Sequence, residues 1–419
     1  MRIHVIEKAA YRRAAWSLLA ALLLLTFAGL AVIPAAFAQQ EQEEEGLFPD
    51  PALEQVVRHT IDKPSEVITL DDVRGITDLR AWEEGITDLT GIEHLSNLRF
   101  LGLSRNQISD LSPLSGLTEL RELHLDENGL SDISPLSGLT SLETLNLSDN
   151  EVHDLSPLSD LTNLLYLSLT NNKISDVSAL SGLTSLEWLY LERNEIEDLS
   201  PLAKLSRLEF LALDENRITD ISPLSSLLNL TTLKLSKNEI VEPKLGTLPR
   251  LYYLDLAYNR ISELSELSSM PRLEFLELTS NHITDIGHLS EFKSITHLGL
   301  SSNLELTDLS ALSSLTELID LALFNLPNLS DIGPLADLTN LLALYLVETN
   351  TSDISPLSGL ESLEHLDLRG NRIRDLSPLL TLPNVFFLYI DENDFDTSDE
   401  SDALKVISEL DERGVIVRY

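Results

Sequence analysis

The sequence predicts a protein of the α/β class that winds into a solenoid. We expect a shallow horseshoe with parallel strands on its concave face and short 3-10 or irregular turns on its convex face. Two observations predict it. A leucine recurs every 22 residues, from Leu98 through Leu120 and Leu142 to Leu230. An asparagine recurs eight residues after each of these leucines. A fixed period of this length indicates a repeat array.

A typical unit runs Leu98-x-x-Leu101-x-Leu103-x-x-Asn106-x-Ile108. This is the leucine-rich repeat pattern. Leu101 and Leu103 alternate with Gly102, which is the period of a short strand. Further units start at Leu251, Leu273, Ile295, Leu318, Leu341, Leu363 and Val385, and a weaker first unit starts at Ile76. The sequence therefore predicts about fifteen repeats over residues 76–396.

The recurring asparagine is predicted to be structural. A buried amide at a turn can bond backbone groups of its own coil and of the next one. We expect a ladder formed by Asn106, Asn128, Asn150, Asn172, Asn194, Asn216, Asn238, Asn259, Asn281, Asn303, Asn371 and Asn393. Between residues 303 and 350 the pattern gains one residue in each of two units, which predicts a bulge there.

The convex turns carry a Ser-Pro pair and an acidic residue. Ser112-Pro113 and its copies fit an N-cap followed by Pro at the first position of a short helical turn. Asp110 and its copies form a column of carboxylates. One carboxylate per coil does not supply the six to eight oxygens that calcium needs, so each Asp is expected to accept backbone N–H groups at its own turn.

Both ends of the array have the pattern of caps. Residues 49–75 are predicted to form a helical N-terminal cap, in which Asp50-Pro51 starts a helix. Residues 397–419 are predicted to form a C-terminal cap, with a helix from Ser401 to Arg413 and a last strand at 415–417.

The N-terminus predicts export. Residues 1–38 combine basic residues, an apolar stretch and an A-x-A site ending at Ala38, as a cleaved signal peptide does. The alternative is an uncleaved N-terminal helix that anchors the chain. Residues 39–48 read as an acidic, flexible leader. We expect a secreted, periplasmic or cell-surface protein with no membrane span in the mature chain.

Composition excludes several function classes. The formal net charge is −39, and there is no cysteine. Such a charge repels phosphate backbones, so nucleic acid is not expected as a partner. The absence of cysteine excludes disulfides, thiolate nucleophiles and Cys-ligated metals.

The 22-residue unit, with its N-x-I-S-D-I-S-P-L core, resembles the internalin-type bacterial leucine-rich repeat proteins, and the helical segment 50–73 is similar to the cap that precedes their repeats. The resemblance implies a secreted or surface protein that grips another protein with its concave face. The sequence shows no immunoglobulin-like module after the repeats and no wall-binding tail, so surface attachment and host invasion are not carried over.

The first outward position of each predicted strand is rich in aromatic residues, which fill seven of fifteen repeats although aromatics are 5% of the chain. Exposed Trp and Tyr on a concave surface are typical of binding hot spots. The candidate partner-binding residues are Phe100, Tyr166, Trp188, Tyr190, Phe210, Tyr253, Tyr258 and Phe275. We expect Tyr166, Trp188 and Phe210 to touch on adjacent coils, and Tyr253, Tyr258 and Phe275 to form a second cluster.

These residues favour a protein or peptide partner. A partner with a basic patch would match the predicted concave face, because acids outnumber bases there. Two alternatives stay open: a glycan-binding module, because aromatics beside carboxylates also suit sugars, and an envelope scaffold without a single ligand. We expect a monomer.

No enzymatic activity, cofactor or metal is predicted. The histidines fall in different columns of the repeat. His297 and His365 share a column but are three coils apart, about 14 Å by strand spacing, which is too far for one metal ion. No Gly-rich phosphate loop is present.

Overall fold

The computed structural model describes residues 46–267, 270–398 and 400–419. The predicted signal peptide, and residues 39–45 of the predicted leader, lie outside the described residues. Within the described part, no helix is long and apolar enough to cross a membrane.

One parallel sheet runs through the described residues, and its sixteen strands follow each other in chain order. The strands are β1 Asp78–Arg80, β2 Phe100–Gly102, β3 Glu122–His124, β4 Thr144–Asn146, β5 Tyr166–Ser168, β6 Trp188–Tyr190, β7 Phe210–Ala212, β8 Thr232–Lys234, β9 Tyr253–Asp255, β10 Phe275–Glu277, β11 His297–Gly299, β12 Asp320–Ala322, β13 Ala343–Tyr345, β14 His365–Asp367, β15 Phe387–Tyr389 and β16 Ile416–Arg418. This is the leucine-rich repeat solenoid that the 22-residue period predicts.

Each strand has three residues, and the middle one is buried in β1 to β15 and partly buried in β16. In β6, for example, Leu189 is fully buried, whereas Trp188 and Tyr190 point away from the core. Neighbouring strands pair first residue to first residue, as Tyr166 does with Trp188 and Trp188 with Phe210. The first and third side chains of all strands therefore share one surface, which we call the open face. It is the side that the sequence predicts to be concave.

Short 3-10 helices connect most of the strands on the opposite side, as the sequence predicts. The segment Ser112–Leu114 buries Leu114, and its copies do the same in later coils. The predicted N-cap is wrong by one residue. Leu111, not Ser112, occupies the N-cap position, and the backbone N–H of Ser112 donates to Asp110 Oδ1 at 2.8 Å. The Asp two residues before the Pro-containing turn therefore does the capping.

The N-terminal end of the sheet is covered by helix α1, Pro51–Thr60, followed by the single turn α2, Leu70–Val73. The Asp50 carboxylate accepts the N–H groups of Ala52 and Leu53 and also bonds that of Thr87 in the first repeat. Phe48 is buried and Leu47 is partly buried in the same core. The assignment of these last two residues to the flexible leader is therefore wrong.

The C-terminal end is covered by helix α3, Asp402–Glu412, with Ser401 as its N-cap. The helix buries Val406, Ile407 and Leu410. Strand β16 then pairs in parallel with β15, so the last residues of the chain extend the sheet by one strand. Both ends of the leucine core are thus shielded from water.

Candidate functional site

The recurring asparagines lie inside the solenoid, directly after the strands. Asn194 shows the typical geometry. Its Nδ2 donates to Leu169 O of the preceding coil at 2.9 Å and to Leu191 O of its own coil at 3.1 Å. Its Oδ1 accepts the N–H of Ile174 at 3.0 Å. Each such amide satisfies backbone groups of two coils, so the ladder holds neighbouring coils together and leaves little of the amide for a ligand.

The ladder is interrupted where the sequence predicts a bulge. Leu326 and Thr349 occupy the asparagine position, and the hydroxyl of Thr349 bonds the side chain of Asn371 in the next coil. The strand register is unbroken across β11, β12 and β13. The extra residues lie in two turns instead. In the first turn Leu306 N–H donates to Asn303 O, and in the second Leu329 N–H donates to Leu326 O. The predicted bulge therefore lies in the turns and not in the sheet.

The central aromatic cluster of the open face is formed by Tyr166, Tyr190 and Phe210 on three adjacent strands. The ring centroids of Tyr166 and Tyr190 are 5.2 Å apart, and those of Tyr190 and Phe210 are 4.7 Å apart. Trp188 pairs with none of the described rings and is 38% exposed. The predicted contact of Trp188 with Tyr166 and Phe210 is therefore wrong, because Tyr190, two residues further along the strand, fills the space between them.

A second cluster contains Tyr253 and Phe275, whose rings stack at 6.0 Å. The ring of His297 stacks on that of Phe275, with centroids 4.1 Å apart. The ring of Tyr252 meets that of Phe275 edge-on, at 6.1 Å between centroids. Tyr258 does not belong to this cluster, contrary to the prediction. It lies in the turn after β9, where its φ is 55°, and it is 53% exposed. Charged residues occupy the same left-handed turn position in several other coils.

Phe100 belongs to a third cluster near the N-terminal end. Trp82 meets its ring edge-on at 6.1 Å, and the imidazole of His124 lies 5.6 Å away. The Trp82 indole lies against Gly102, where a Cβ would come within 2.1 Å of its Nε1. A cleft of about 780 Å³ opens beside these rings, and Arg99 and Arg121 are among the residues that line it.

A fourth cluster near the C-terminal end was not among the candidates. Phe324 stacks on Tyr345 at 5.4 Å, and Tyr345 is 5.1 Å from His365. His365 also contacts Phe387 and Tyr389, at 5.7 and 5.5 Å. Most of these rings occupy the third strand position or the turn after it. The sequence pattern indicates the rings at the third position, because in a three-residue strand the third side chain points to the same side as the first.

Carboxylates surround the second cluster. Burial is the main cause that raises the pKa of Asp255 to about 6; the negative charges of Asp214 and Glu277 add to the shift, and a bond from Ala257 N–H opposes it. Burial likewise raises the pKa of Asp320 on β12. Lys234 on β8 is the nearby cation that favours the charged form of Asp255.

The described residues contain no group of three or more His, Asp or Glu side chains placed to hold a metal ion. His297 on β11 and His365 on β14 are three strands apart, as the sequence predicts, and Asp320 lies on β12 between them. The open face can thus offer aromatic surface, carboxylates and a few cations to a ligand.

A sheet of this topology, with its ladder and its 3-10 turns, defines a leucine-rich repeat protein. The sequence matches the family described as "Leucine Rich repeats (2 copies)" at residues 96–138, 184–227 and 249–291. Two further matches, each described as a leucine-rich repeat, cover residues 140–196 and 359–376.

Similar proteins show which family of leucine-rich repeat proteins includes this chain. The structure resembles the crystal structure of an internalin (inlF) from Listeria monocytogenes, with 33% sequence identity, a TM-score of 0.61, and coverage of 76% of this chain and 95% of that one. The chain belongs to the internalin-type bacterial leucine-rich repeat proteins. Internalin H of Listeria monocytogenes is 39% identical over 64 residues, which are 15% of this chain and 12% of that protein. The match to internalin H thus spans about one eighth of its length.

The functional domain of InlJ from Listeria monocytogenes shares the fold, with 24% identity, a TM-score of 0.66, and coverage of 82% of this chain and 80% of that one. That domain is described as including a cysteine ladder. The present chain has no cysteine, and asparagine side chains form its ladder.

Proposed function

We propose that this protein is exported and binds a protein or peptide partner on its open face, without catalysing a reaction. One observation carries the proposal. The rings of Tyr166, Tyr190 and Phe210 form a continuous apolar surface over three strands, and the exposed indole of Trp188 lies beside them. Their Leu neighbours already fill the core, so these rings are not needed to complete it. Large aromatic side chains held on a rigid surface are the usual anchors of protein interfaces.

The position of the cluster supports the same proposal. It lies on β5 to β7, in the first half of a sixteen-strand sheet, with further aromatic clusters on both sides. A partner that lies along the open face can therefore contact several clusters at once. Hot spots near the centre of such a surface, surrounded by weaker contacts that exclude water, contribute most of the binding energy.

The test is a binding screen of the secreted form of the chain against arrays of extracellular proteins and of glycans. A triple variant, Trp188→Ala/Tyr190→Ala/Phe210→Ala, is screened beside the wild type. The control variant, Leu228→Ala/Val241→Ala/Tyr419→Ala, removes three exposed apolar side chains that lie outside the strands. Circular dichroism establishes that all three proteins are folded.

We expect a protein or peptide ligand whose binding is lost in the open-face variant and kept in the control. Binding that survives in the open-face variant would place the site on the turns or the caps. A ligand found only among the glycans would favour the sugar-binding alternative. The absence of any ligand in both arrays would favour the scaffold alternative.

A further inference from the structure

At its two ends, the open face holds its own arginines against an aromatic ring and a carboxylate. The guanidinium carbon of Arg80 is 4.9 Å from the centroid of Phe100, and its Nε donates to Asp78 Oδ1 at 2.8 Å. The guanidinium carbon of Arg369 is 5.4 Å from the centroid of Tyr389. A cation over an aromatic face is attracted by the quadrupole of the ring, which makes the electrostatic potential over that face negative.

The C-terminal example is the tighter of the two. Arg369 donates from Nε to Asp367 Oδ1 at 2.9 Å and from Nη2 to Asp367 Oδ2 at 2.6 Å, and the Asp367 carboxylate is buried. Such paired bonds between a planar guanidinium and a carboxylate are among the stronger polar contacts in proteins. The combination of ring, carboxylate and guanidinium therefore occurs twice in one repeat array.

Strands β9 to β12 repeat this combination without the cation. Tyr253, Phe275 and His297 supply the rings, and Glu277 and Asp320 supply the carboxylates. These five residues, which we call the acidic sector, line a hollow of about 250 Å³. None of the outward residues of these four strands is Lys or Arg. Among the ion pairs of the described residues, none involves Glu277 or Asp320.

The absence of a side chain at Gly299 leaves room for the Glu277 carboxylate. A Cβ at Gly299 would come within 2.1 Å of Glu277 Oε1, so only glycine lets that carboxylate lie flat on the next strand. The N–H of Thr279 donates to the same oxygen at 3.0 Å and fixes its position. The Glu277 carboxylate thus has a defined place beside the ring of Phe275.

Negative charge accumulates around this sector. Asp255 pairs with Glu277 in the sheet register, and the repulsion between them contributes to the raised pKa of Asp255. Lys234 is the cation next to Asp255 in the register, but its Nζ lies toward the ring of Phe210, 5.8 Å from the centroid. A cation supplied by a ligand would relieve this repulsion, whereas a neutral ligand would not.

We propose that the acidic sector receives an arginine or lysine side chain from a basic segment of the partner, in the way that Phe100 and Asp78 receive Arg80. This rests on the proposed function, since it names the chemistry of the partner on the same open face. Charge complementarity selects this occupant, because the rings of Tyr253 and Phe275 attract a cation and the carboxylates form no ion pair within the described residues.

The experiment measures fluorescence anisotropy of a labelled synthetic peptide of eleven residues in which arginine and glycine alternate. A second peptide carries citrulline, which is neutral and nearly isosteric, in place of each arginine. The sector variant, Asp255→Asn/Glu277→Gln/Asp320→Asn, neutralises the two carboxylates of the acidic sector and that of Asp255, which pairs with Glu277 in the sheet register. The control variant, Glu119→Gln/Asp160→Asn/Asp337→Asn, removes three exposed charges away from the strands. The salt concentration is about 150 mM, so that distant charges are screened beyond about 8 Å.

We expect the arginine peptide to bind the wild type, and the sector variant to weaken it about tenfold or more, as for the loss of a desolvated charge pair. The control variant should change the affinity less than about twofold. The citrulline peptide should not bind measurably.

Equal weakening in the two variants would overturn the proposal, because the peptide would then sense only the net charge. Equal binding of the citrulline peptide, or no binding of the arginine peptide, would also overturn it. None of these outcomes decides the proposed function, which is tested separately by Trp188, Tyr190 and Phe210. Loss of a screened partner in that variant, with no effect of the sector variant, would keep the open face as a binding site and reject a cationic contact.

Discussion

The inner ladder and the open face are built from the same coils but vary in opposite ways. In the ladder, the same amide recurs in twelve coils, and most copies make the same bonds to two backbones. On the open face, the residue changes at nearly every strand, from Asp78 to Thr144 to Trp188. The difference teaches that the repeat determines the backbone through its buried positions, while the outward positions are free to specify a ligand.

The largest expected effect is on the ladder. Asn216 donates to Leu191 O at 2.9 Å and to Leu213 O at 3.1 Å, and accepts from Ile196 N–H at 3.0 Å. Asn216→Ala leaves these buried groups without partners and should lower the free energy of unfolding by about 3 kcal/mol. Urea denaturation followed by circular dichroism measures it. Asn163→Ala, which removes a single exposed bond, is the control. Similar losses in both variants would contradict a special role of the ladder.

A smaller effect of opposite sign is expected on the open face, at Asp255 of β9. The folded pKa of Asp255 is about 6, above the ordinary 3.8, so the native state binds more protons than the unfolded state between these values. Ionised Asp255 therefore destabilises the protein above about pH 6. Asp255→Asn, which can keep the bond from Ala257, should add about 1 to 2 kcal/mol to the free energy of unfolding near neutral pH.

The pH profile separates this explanation from a general effect of charge. The gain from Asp255→Asn should fade as the pH falls from about 6 to about 4, because the wild-type carboxyl then takes up its proton in the native state. The control Asp160→Asn removes one exposed carboxylate elsewhere. A gain that is independent of pH, or equally large in the control, would show that burial and repulsion at Asp255 are not the cause.

The capping aspartates should show the reverse pH dependence. Bonds from the N–H and hydroxyl of Ser156 hold the pKa of Asp154 below its ordinary value. The stability that Asp154 contributes is thus present above about pH 4 and is lost as the pH falls below that value. Asp154→Ala should lower the urea midpoint at neutral pH, and the two midpoints should converge in acid. Parallel curves at all pH values would contradict capping by the charged form.

The smallest expected effect on stability is at Trp188. Its indole makes no ring contact among the described residues and is partly exposed, so Trp188→Ala should lower the free energy of unfolding by about 1 kcal/mol or less. Urea denaturation measures this, with Leu189→Ala as the fully buried neighbour that should cost about 2 to 5 kcal/mol. A large loss at Trp188 would mean that the open-face aromatics serve packing.

The fold could be predicted almost completely from the sequence, because a strict period reports directly on which residues are buried. Leu101 and its copies identify the fifteen strands of the repeats, β1 to β15. The N-cap was misplaced because Asp and Ser both cap helices, and only the backbone angles show that Leu111 holds that position. Leu47 and Phe48 were misjudged because they lie outside the period.

The open face was predictable only in part. The register of the strands placed Tyr166 and Phe210 on adjacent strands, but the contact between rings depends on rotamers and on the third strand position, where Tyr190 lies. Tyr258 was assigned to the face by proximity in sequence, although the left-handed turn at this residue carries it away. Arg80 is paired with Asp78, whereas the carboxylates of the acidic sector form no ion pair among the described residues. Such pairing between charges cannot be derived from a periodic pattern.

The strict strand-to-strand register has a consequence for how such a protein can change over evolutionary time. Each coil bonds only its neighbours, so a 22-residue cassette can be gained or lost without disturbing the rest. Every such event would change the distance between outward side chains on either side of it by one strand spacing, about 4.8 Å. The distance between two outward side chains on different coils therefore changes in whole strand spacings, whereas their chemistry changes by single substitutions.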